Sequence, residues 1–315
     1  MSILKKALAA AVVAGLVSTV GVVPASAAPK NQARAVAQPD WLEANLDNPK
    51  VRIIEVSTEP GLYERGHIKN AIKFVWHTDL VDTVNRDIIN AKNFSKLVQK
   101  AGISDDTTVV LYGDKNNWFA AWGAWIFNIY GQKDVRVLDG GRVKWEKDGR
   151  ALTTAVPTFS AGNFVATKAD KALRATLIND VLPVAKKRVK ADLIDIRGAD
   201  EYNGKIFAAP GFQELAVRAG HIPGAINVPW GANVNADGTF KTVAELKKLY
   251  ADKGVDGKQN IITYCRIGER SSLTWFVLSE ILGYNVKNYD GSWTEYGNSV
   301  GVPIVNNAGT IWGAA

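Results

Sequence analysis

Cys265, the only cysteine in the 315-residue sequence, is the side chain with the clearest capacity for nucleophilic chemistry. The run Ile261–Tyr264 before it predicts a short β-strand, and the apolar residues 273–278 after it predict a helix. A thiol at such a turn lies beneath the free N–H groups of the helix, where negative charge is stabilised. Because Arg266 and Arg270 flank it, we expect a reactive thiolate at Cys265 rather than a buried apolar side chain.

The amino-terminal residues have the pattern of a secretory signal peptide. Lys5 and Lys6 supply the positive charge, residues 7–23 are apolar, and Ala25-Ser26-Ala27 form a typical cleavage site. We expect cleavage after Ala27 and a periplasmic or secreted product, with an uncleaved anchor as the alternative. No later stretch of the sequence is long and apolar enough to predict a membrane span.

The composition limits the classes of function. A single cysteine cannot form a disulfide within the chain, so packed cores must supply the stability, and a lone thiol in an oxidising compartment suggests a chemical role. The 38 lysines and arginines exceed the 31 aspartates and glutamates, for a formal net charge of +7, without long basic runs. This excess suits a small anionic ligand and is weak support for nucleic-acid binding, which we do not expect.

The chain contains two similar halves, and only one of them has the cysteine. Gly113 follows Gly102 by 11 residues, and Cys265 follows Gly254 by the same 11 residues. Gly113 therefore occupies in the first half the position that the cysteine has in the second. The loop of residues 113–118 contains neither a nucleophile nor an arginine. We infer that the second half carries the chemistry.

Both halves alternate short β-rich runs with helical patterns, which predicts an α/β fold with mainly parallel sheets flanked by helices. Strands are predicted at residues 53–56 and 193–196, and an amphipathic helix is predicted at residues 94–101. In such sheets ligands bind beyond the carboxyl ends of the strands, where Cys265 would lie.

The sequence divides into four segments. A signal peptide is predicted at residues 1–27, a first domain without the cysteine at 39–150, a linker at 151–166 and a catalytic domain at 167–310. The linker prediction depends on Pro157, on several threonines and on one glycine. The chain is long enough for each domain to bury a core of its own.

Several motifs together resemble the two-domain rhodaneses, a family of thiosulfate and mercaptopyruvate sulfurtransferases. These motifs are the tandem halves, the strand end Asp195-Ile196-Arg197, the run Gly220-His221-Ile222-Pro223-Gly224-Ala225 with its counterpart at 66–72, and the loop of residues 265–271. The resemblance extends from about residue 39 to residue 305. It implies two tandem rhodanese-like domains, each a mainly parallel sheet flanked by helices.

The resemblance implies sulfur transfer by double displacement. Cys265 attacks the outer sulfur of a small anionic donor and becomes a persulfide, and a thiophilic acceptor such as cyanide or a thiol then removes that sulfur. No metal and no organic cofactor is implied. The spacing agrees with this chemistry, because a turn over residues 266–271 can direct successive N–H groups toward an anionic sulfur.

The predicted substrate site consists of the loop and one arginine outside it. Gly268 permits the backbone angles of the turn, and Arg266 and Arg270 are expected to neutralise the donor and its leaving group. Ser271 and Ser272 are expected to cap the following helix and to donate to the loop. The predicted substrate-binding residues are Arg197, Arg266, Ile267, Gly268, Glu269, Arg270 and Ser271.

Three of these residues need further interpretation. Arg197 either holds the donor or forms a structural ion pair with Asp200 or Glu201. Glu269 offsets part of the positive charge of the loop and is expected to pair with one of its arginines. Arg266 favours thiosulfate over 3-mercaptopyruvate as the donor, because mercaptopyruvate enzymes of this family tend to have a small, neutral loop after the cysteine.

His221 precedes the cysteine in the second half and suggests a Cys–His catalytic pair. However, the motif Gly66-His67-Ile68 repeats the same histidine in the half that has no cysteine. A residue retained without the chemistry is better explained by structure, so we interpret His221 as structural.

Two other functions are compatible with parts of the pattern. A cysteine-dependent phosphatase needs a C-x5-R loop around its phosphate, whereas Arg270 makes this loop C-x4-R, which suits one sulfur atom better. The second alternative is a non-catalytic exported persulfide carrier that uses the first half as a docking surface. Turnover with small donors distinguishes an enzyme from a carrier.

Overall fold

The computed structural model describes residues 32–213 and 215–313. The predicted signal peptide, residues 1–27, lies outside the described residues. The strands are Val36–Ala37 (β1), Val51–Glu55 (β2), Ala71–Lys73 (β3), Val81–Asp82 (β4), Asp87–Ile88 (β5), Thr108–Tyr112 (β6), Asp134–Leu138 (β7), Asp192–Asp195 (β8), Ile226–Asn227 (β9), Ile261–Tyr264 (β10) and Val286–Asn288 (β11).

Helices connect most of these strands. The α-helices are Gln32–Ala35 (α1), Pro39–Ala44 (α2), Leu62–Arg65 (α3), Trp76–Asp79 (α4), Ala91–Lys100 (α5), Trp118–Ile129 (α6), Gly141–Lys147 (α7), Leu182–Ala185 (α8), Ala199–Tyr202 (α9), Val243–Ala251 (α10), Glu269–Phe276 (α11) and Ser292–Asn298 (α12). Short 3-10 turns occur at Lys115–Asn117 and Trp230–Asn233, and π-helical turns occur at Leu177–Val181 and Val277–Ile281.

Two parallel sheets form the two halves of the molecule. The first has the strand order β1-β7-β6-β2-β3, and the second has the order β11-β10-β8-β9. The pairs within both sheets are parallel, and β4 and β5 form a separate antiparallel hairpin. This topology confirms the predicted α/β class. The orders also correspond, since β7, β6, β2 and β3 have the same arrangement as β11, β10, β8 and β9.

The strand before the cysteine agrees with the prediction, whereas the helix after it differs from the prediction. The predicted strand before Cys265 coincides with β10. The helix after it begins at Glu269, earlier than the apolar run at 273–278 indicated, because Gly268 already ends the loop as the N-cap of α11. The loop between strand and helix is therefore very short, which keeps the cysteine close to the helix N–H groups.

Two helices that follow equivalent strands, α6 and α11, pack against each other and join the halves. Every residue of α11 is buried, and α6 is buried on nearly all sides. A helix that is apolar all round belongs in an interior rather than on a surface. One hydrophobic core includes Trp122 and Trp125 of α6 together with Leu273 and Phe276 of α11. The shared core therefore also fixes the start of α11, next to Cys265.

The residues predicted to form the linker, 151–166, contain no helix or strand and lie along the first half. Thr153 and His67 exchange two backbone hydrogen bonds of 2.8 Å. Gly162 N–H donates to the carbonyl of Gln99 at 2.8 Å. These contacts attach the segment to the first half along much of its length.

Candidate active site

Cys265 lies at the carboxyl end of β10, where parallel sheets bind their ligands. Its side chain is 0% exposed. The main-chain N–H of Cys265 donates to Ser292 Oγ at 3.0 Å, and the Ser292 hydroxyl donates to the carbonyl of Tyr289 at 2.7 Å. The first residue of α12 thus fixes the backbone of the cysteine.

The sulfur of Cys265 accepts a hydrogen bond from the loop that follows it. The N–H of Gly268 donates to Sγ at 3.0 Å. Gly268 has a φ of +100°, and a Cβ at this position would lie 2.7 Å from Asp290 Cα and 2.8 Å from the Trp122 ring. Glycine is therefore required both by the backbone angle and by the space. The resulting turn presents a main-chain donor to the sulfur, as a site for an anionic sulfur needs.

Ser271 and Ser272 donate to the loop, as expected from the sequence, but they do not cap the helix. Since α11 begins at Glu269, both serines lie inside its first turns. Their hydroxyl groups donate to the carbonyl of Gly268 at 2.9 and 2.8 Å. The serines therefore hold the carbonyl side of Gly268 and keep the loop in the conformation that faces the sulfur.

Glu269 faces the sulfur, a placement that the sequence did not predict. Its side chain is 2% exposed, and Oε2 lies 3.6 Å from Cys265 Sγ. The expected pairing with an arginine is weak, because Glu269 Oε1 is 4.0 Å from Arg270 Nε. A carboxylate oxygen is thus within reach of the thiol proton.

The pKa of the Cys265 thiol is raised, which corrects the expectation of a ready thiolate. Burial is the largest cause, and the negative charge of Glu269 raises the pKa further. Arg270 and Ser271 lower it by less. A raised pKa leaves the thiol largely protonated near neutral pH, so the site needs a proton acceptor as well as N–H donors.

The two arginines that flank Cys265 have different environments. Arg270 is buried and pairs with Glu201 through two contacts of 3.2 Å each. Arg266 is half-buried, and its Nη1 donates to the carbonyl of Gln213 at 2.9 Å. The partly exposed Phe212 ring lies over both guanidinium groups, 5.3 Å from Arg266 Cζ and 5.6 Å from Arg270 Cζ. Glu201 thus matches the charge of one arginine, while the other has a neutral partner.

Comparison with known proteins supports what the two sheets and the cysteine loop indicate. The rhodanese-like domain family matches residues 38–148 and 182–299, one match in each half. The chain belongs to the rhodanese-like family.

Relatives and solved structures agree with this assignment. The chain is 54% identical over 267 residues to a Mycobacterium tuberculosis protein named "Putative thiosulfate sulfurtransferase", covering 84% of this chain and 95% of that protein. It is 51% identical over 269 residues to the sulfur carrier protein TtuD of Thermus thermophilus, covering 84% and 94%. The 3-mercaptopyruvate sulfotransferase SseA of Escherichia coli has the same fold, with a TM-score of 0.69, 27% identity and coverage of 82% and 98%.

Arg197 has a different partner in this rhodanese from those predicted. It pairs with Asp195 rather than with Asp200 or Glu201, with Nε–Oδ1 and Nη2–Oδ2 distances of 3.0 and 2.6 Å. Nη2 also donates to the carbonyl of Gly220 at 2.7 Å. The Arg197 side chain is 1% exposed, so this geometry supports the structural interpretation over donor binding.

The first rhodanese half contains an equivalent of this ion pair. Arg142, from α7, lies 3.0 Å from Glu55 Oε1 and donates to the carbonyl of Gly66 at 2.6 Å. Gly66 corresponds to Gly220, the carbonyl partner of Arg197 in the second half. Since the first half has no cysteine, the arrangement serves the fold rather than the reaction.

His221 and its counterpart His67 also have matching environments. His221 stacks on Tyr202 with a ring distance of 3.7 Å, and His67 stacks on Tyr63 at 3.8 Å. The Nδ1 atoms lie 2.7 and 2.9 Å from the carbonyls of the same tyrosines. These contacts confirm the structural interpretation of His221.

Several residues around the rhodanese loop were not identified from the sequence. Ser292 could have been found from the sequence, because the Asp-Gly pair directly before it is repeated in the first half and marks an equivalent turn. Glu201 was considered only as a partner of Arg197, whereas it pairs with Arg270. Arg86, in the β4–β5 hairpin of the first half, donates to the loop carbonyl of Ile267 at 2.7 Å and had no local signal.

Proposed function

We propose that this protein is a thiosulfate sulfurtransferase that moves sulfane sulfur to a thiophilic acceptor through a persulfide of Cys265. The observation that carries the proposal is the 3.0 Å hydrogen bond from Gly268 N–H to the sulfur of a cysteine at a strand end. A short loop of this kind encloses one anionic sulfur atom. The names of relatives from Mycolicibacterium smegmatis and Mycobacterium tuberculosis, both "Putative thiosulfate sulfurtransferase", support the same donor.

The first displacement begins with the loss of the thiol proton. Glu269 Oε2, 3.6 Å from Cys265 Sγ, is placed to accept this proton. The thiolate attacks the outer sulfur of thiosulfate, and a new S–S bond forms while the S–S bond of the donor breaks. Sulfite leaves with the electron pair of the broken bond, so the persulfide forms without an oxidant.

The second displacement returns the cysteine. The outer sulfur of the Cys265 persulfide is attacked by cyanide or a thiolate, and the persulfide S–S bond breaks. The acceptor takes the sulfur, as thiocyanate in the case of cyanide, and the Cys265 thiolate is the leaving group. The N–H of Gly268 stabilises negative charge on sulfur in both displacements. Neither step requires a metal or an organic cofactor.

Arg266 supports thiosulfate over 3-mercaptopyruvate as the donor. Its hydrogen-bond partner is the neutral carbonyl of Gln213, so its charge can offset that of a dianion. The charge of Arg270 is matched by Glu201. This pairing also argues against a phosphatase, in which an arginine must face the phosphate.

Intact-mass measurement of the purified protein tests the proposal. We expect thiosulfate to add the mass of one sulfur atom, cyanide to remove it, and Cys265→Ser to abolish the gain. A gain with 3-mercaptopyruvate but not with thiosulfate would keep the persulfide and change the donor. Sulfur uptake without turnover to cyanide or small thiols would favour a carrier, as TtuD is named.

The proposal includes export of the protein. Residues 1–27 are a signal peptide removed after Ala27, which delivers the mature chain to the periplasm or the exterior. No helix in residues 32–213 or 215–313 is long and apolar enough to cross a membrane. Expression of the full sequence followed by amino-terminal mass determination of the exported fraction tests this. Intact residues 1–27 on a cytoplasmic product would contradict it.

A further inference from the structure

Arg86, from the half that lacks the cysteine, contacts the loop that follows Cys265 in the other half. Its Nη2 donates to the carbonyl of Ile267 at 2.7 Å and to the carbonyl of Asp290 at 3.2 Å. Its Nη1 lies 3.3 Å from Asp290 Oδ2. One side chain therefore joins the loop after Cys265 to the turn that precedes Ser292 and α12.

The carbonyl of Ile267 belongs to the same peptide unit as the N–H of Gly268. In a trans peptide the C=O and the N–H point in opposite directions. Here the C=O accepts from Arg86 at 2.7 Å, and the N–H donates to Cys265 Sγ at 3.0 Å. A guanidinium bound to the oxygen fixes the direction of the N–H, and it also polarises the peptide into a stronger donor.

The orientation of this peptide needs an external constraint because its second residue is the glycine Gly268. Glycine adopts positive and negative φ with similar ease, so a flip of the Ile267–Gly268 peptide meets little resistance from Gly268 itself. A flipped peptide would direct the Ile267 oxygen toward the sulfur and repel a thiolate or a persulfide anion. The bond from Arg86 opposes this flip.

The backbone conformation of Arg86 is also unusual for an arginine, which indicates that its side chain has a role at this position. Arg86 has a φ of +53° in the turn between β4 and β5, where Asp82 accepts from the N–H groups of Val84 and Asn85. Glycine and asparagine are the usual residues at such angles. An arginine is retained at this unfavourable backbone angle when the contacts of its side chain compensate for the strain.

We propose that Arg86 is a positioning residue for sulfur transfer that holds the Ile267–Gly268 peptide with its N–H toward Cys265 Sγ. The effect on catalysis rests on the proposed sulfurtransferase function, whereas the orientation of the peptide does not. The first half thereby takes part in the reaction without a nucleophile of its own.

Arg174 provides a matched control for Arg86. It shares the carboxylate of Asp290, with an Nε–Oδ1 distance of 3.0 Å, and it pairs with Asp87 across the two halves at 2.6 Å. Its ion pairs join the same two parts of the molecule without a bond to the Ile267 carbonyl. Arg174→Gln therefore weakens the interface and leaves the peptide held by Arg86.

The orientation of the peptide can be observed directly. Ile267-Gly268 is the only Ile-Gly pair in the sequence, so carbonyl-13C isoleucine combined with 15N glycine gives one correlated peptide signal. We expect this signal to move in Arg86→Asn, which retains a residue suited to positive φ, and to stay unchanged in Arg174→Gln. An unchanged signal in Arg86→Asn, or the same change in both variants, would overturn the proposal.

The rate of persulfide formation from thiosulfate gives the functional test. We expect Arg86→Asn to lower it by about ten-fold or more, Arg86→Lys to recover part of the loss, and Arg174→Gln to change it by less than about two-fold. A rate for Arg86→Asn close to that of the unmodified protein would contradict a positioning role.

A protein that takes no sulfur from thiosulfate would refute the proposed function but still leave Arg86 testable. In that case the pH midpoint for alkylation of Cys265 by iodoacetamide tests whether Arg86 orients the peptide. Glu269 and Arg270, the charged groups that act on the sulfur, are retained in every variant. A higher midpoint in Arg86→Asn than in Arg174→Gln supports the proposal, and equal midpoints contradict it.

Discussion

The sulfur of Cys265 lies between a main-chain donor and a carboxylate. Gly268 N–H at 3.0 Å stabilises a negative sulfur, and Glu269 Oε2 at 3.6 Å disfavours it. Because the sulfur is fully buried, both effects are stronger than they would be in water. The reactivity of the thiol therefore depends on the balance of these two neighbours as well as on the nearby arginines.

Glu269→Gln is expected to lower the pKa of the thiol. Burial raises this pKa and Glu269 raises it further, so removal of the negative charge shifts the alkylation midpoint of Cys265 to lower pH. More thiolate is then present at neutral pH. The pH dependence of iodoacetamide alkylation measures the shift. Glu64→Gln, which removes an exposed carboxylate paired with Lys73, serves as the control. An unchanged or higher midpoint in Glu269→Gln would contradict the placement of the carboxylate.

Arg197→Gln is expected to destabilise the fold rather than to weaken donor binding. The change leaves the 0% exposed Asp195 without its buried partner, at a cost of about 3–5 kcal/mol in the free energy of unfolding. Arg142→Gln should cost a similar amount, because it leaves the equally buried Glu55 without its charged partner. Urea unfolding of both variants checks this. A stable Arg197→Gln protein with a higher KM for thiosulfate would instead restore the donor-binding role.

The two equivalent strand-to-helix loops, which begin at Gly113 and at Cys265, differ in their capacity to bind an anion. In the first half, Gly113 N–H donates to Asn117 Oδ1 at 3.0 Å, whereas Cys265 N–H donates to Ser292. The residues Lys115, Asn116 and Asn117 all have positive φ, so this loop is a left-handed turn rather than a cradle for an anion. The first loop has a different conformation as well as a glycine, Gly113, at the position that Cys265 has in the second half.

Gly113→Cys, combined with Cys265→Ser, is expected to take up no sulfur. A Cβ on Gly113 would lie 2.2 Å from the carbonyl oxygen of Val56, so the backbone must shift, at a cost of about 1–3 kcal/mol in stability. Intact mass after thiosulfate measures uptake, with Cys265→Ser alone as the reference. A gain of one sulfur in the double variant would show that the first loop is competent.

At the scale of the whole molecule, the halves share a core instead of only touching. Trp122 of α6 packs in the same cluster as Leu273 of α11, and its ring also borders Gly268. Arg86 adds a polar link from the first half to the same loop. The geometry around Cys265 therefore depends on both halves, although only one of them has a cysteine.

We expect the two halves to unfold in a single transition. A core that crosses the interface makes each half unstable without the other, so tryptophan fluorescence and far-UV circular dichroism should give coincident urea curves. Trp122→Ala should lower the common free energy of unfolding by about 3–5 kcal/mol, because it leaves a cavity in that shared core. Two separated transitions in the unmodified protein would contradict the shared core.

Local spacing in the sequence was sufficient for the repeat, the α/β class and the position of Cys265 at a strand end. The strand Ile261–Tyr264 was predicted with the bounds it has, and the equal spacings placed Gly113 opposite Cys265. The comparison of His67 with His221 also identified a structural histidine, since both stack on a tyrosine. Strand and helix periodicity and short-range turns are properties of neighbouring residues, so the sequence alone determines them.

The electrostatic surroundings of the sulfur were decided by the tertiary structure. Glu201 comes from α9 to neutralise Arg270, and Arg86 comes from the other half to hold the Ile267 carbonyl. Burial, which raises the pKa of Cys265, likewise exists only once the chain has folded. These contacts join residues far apart in the chain, and charge and solvent exclusion act through space, so no local spacing in the sequence indicates them.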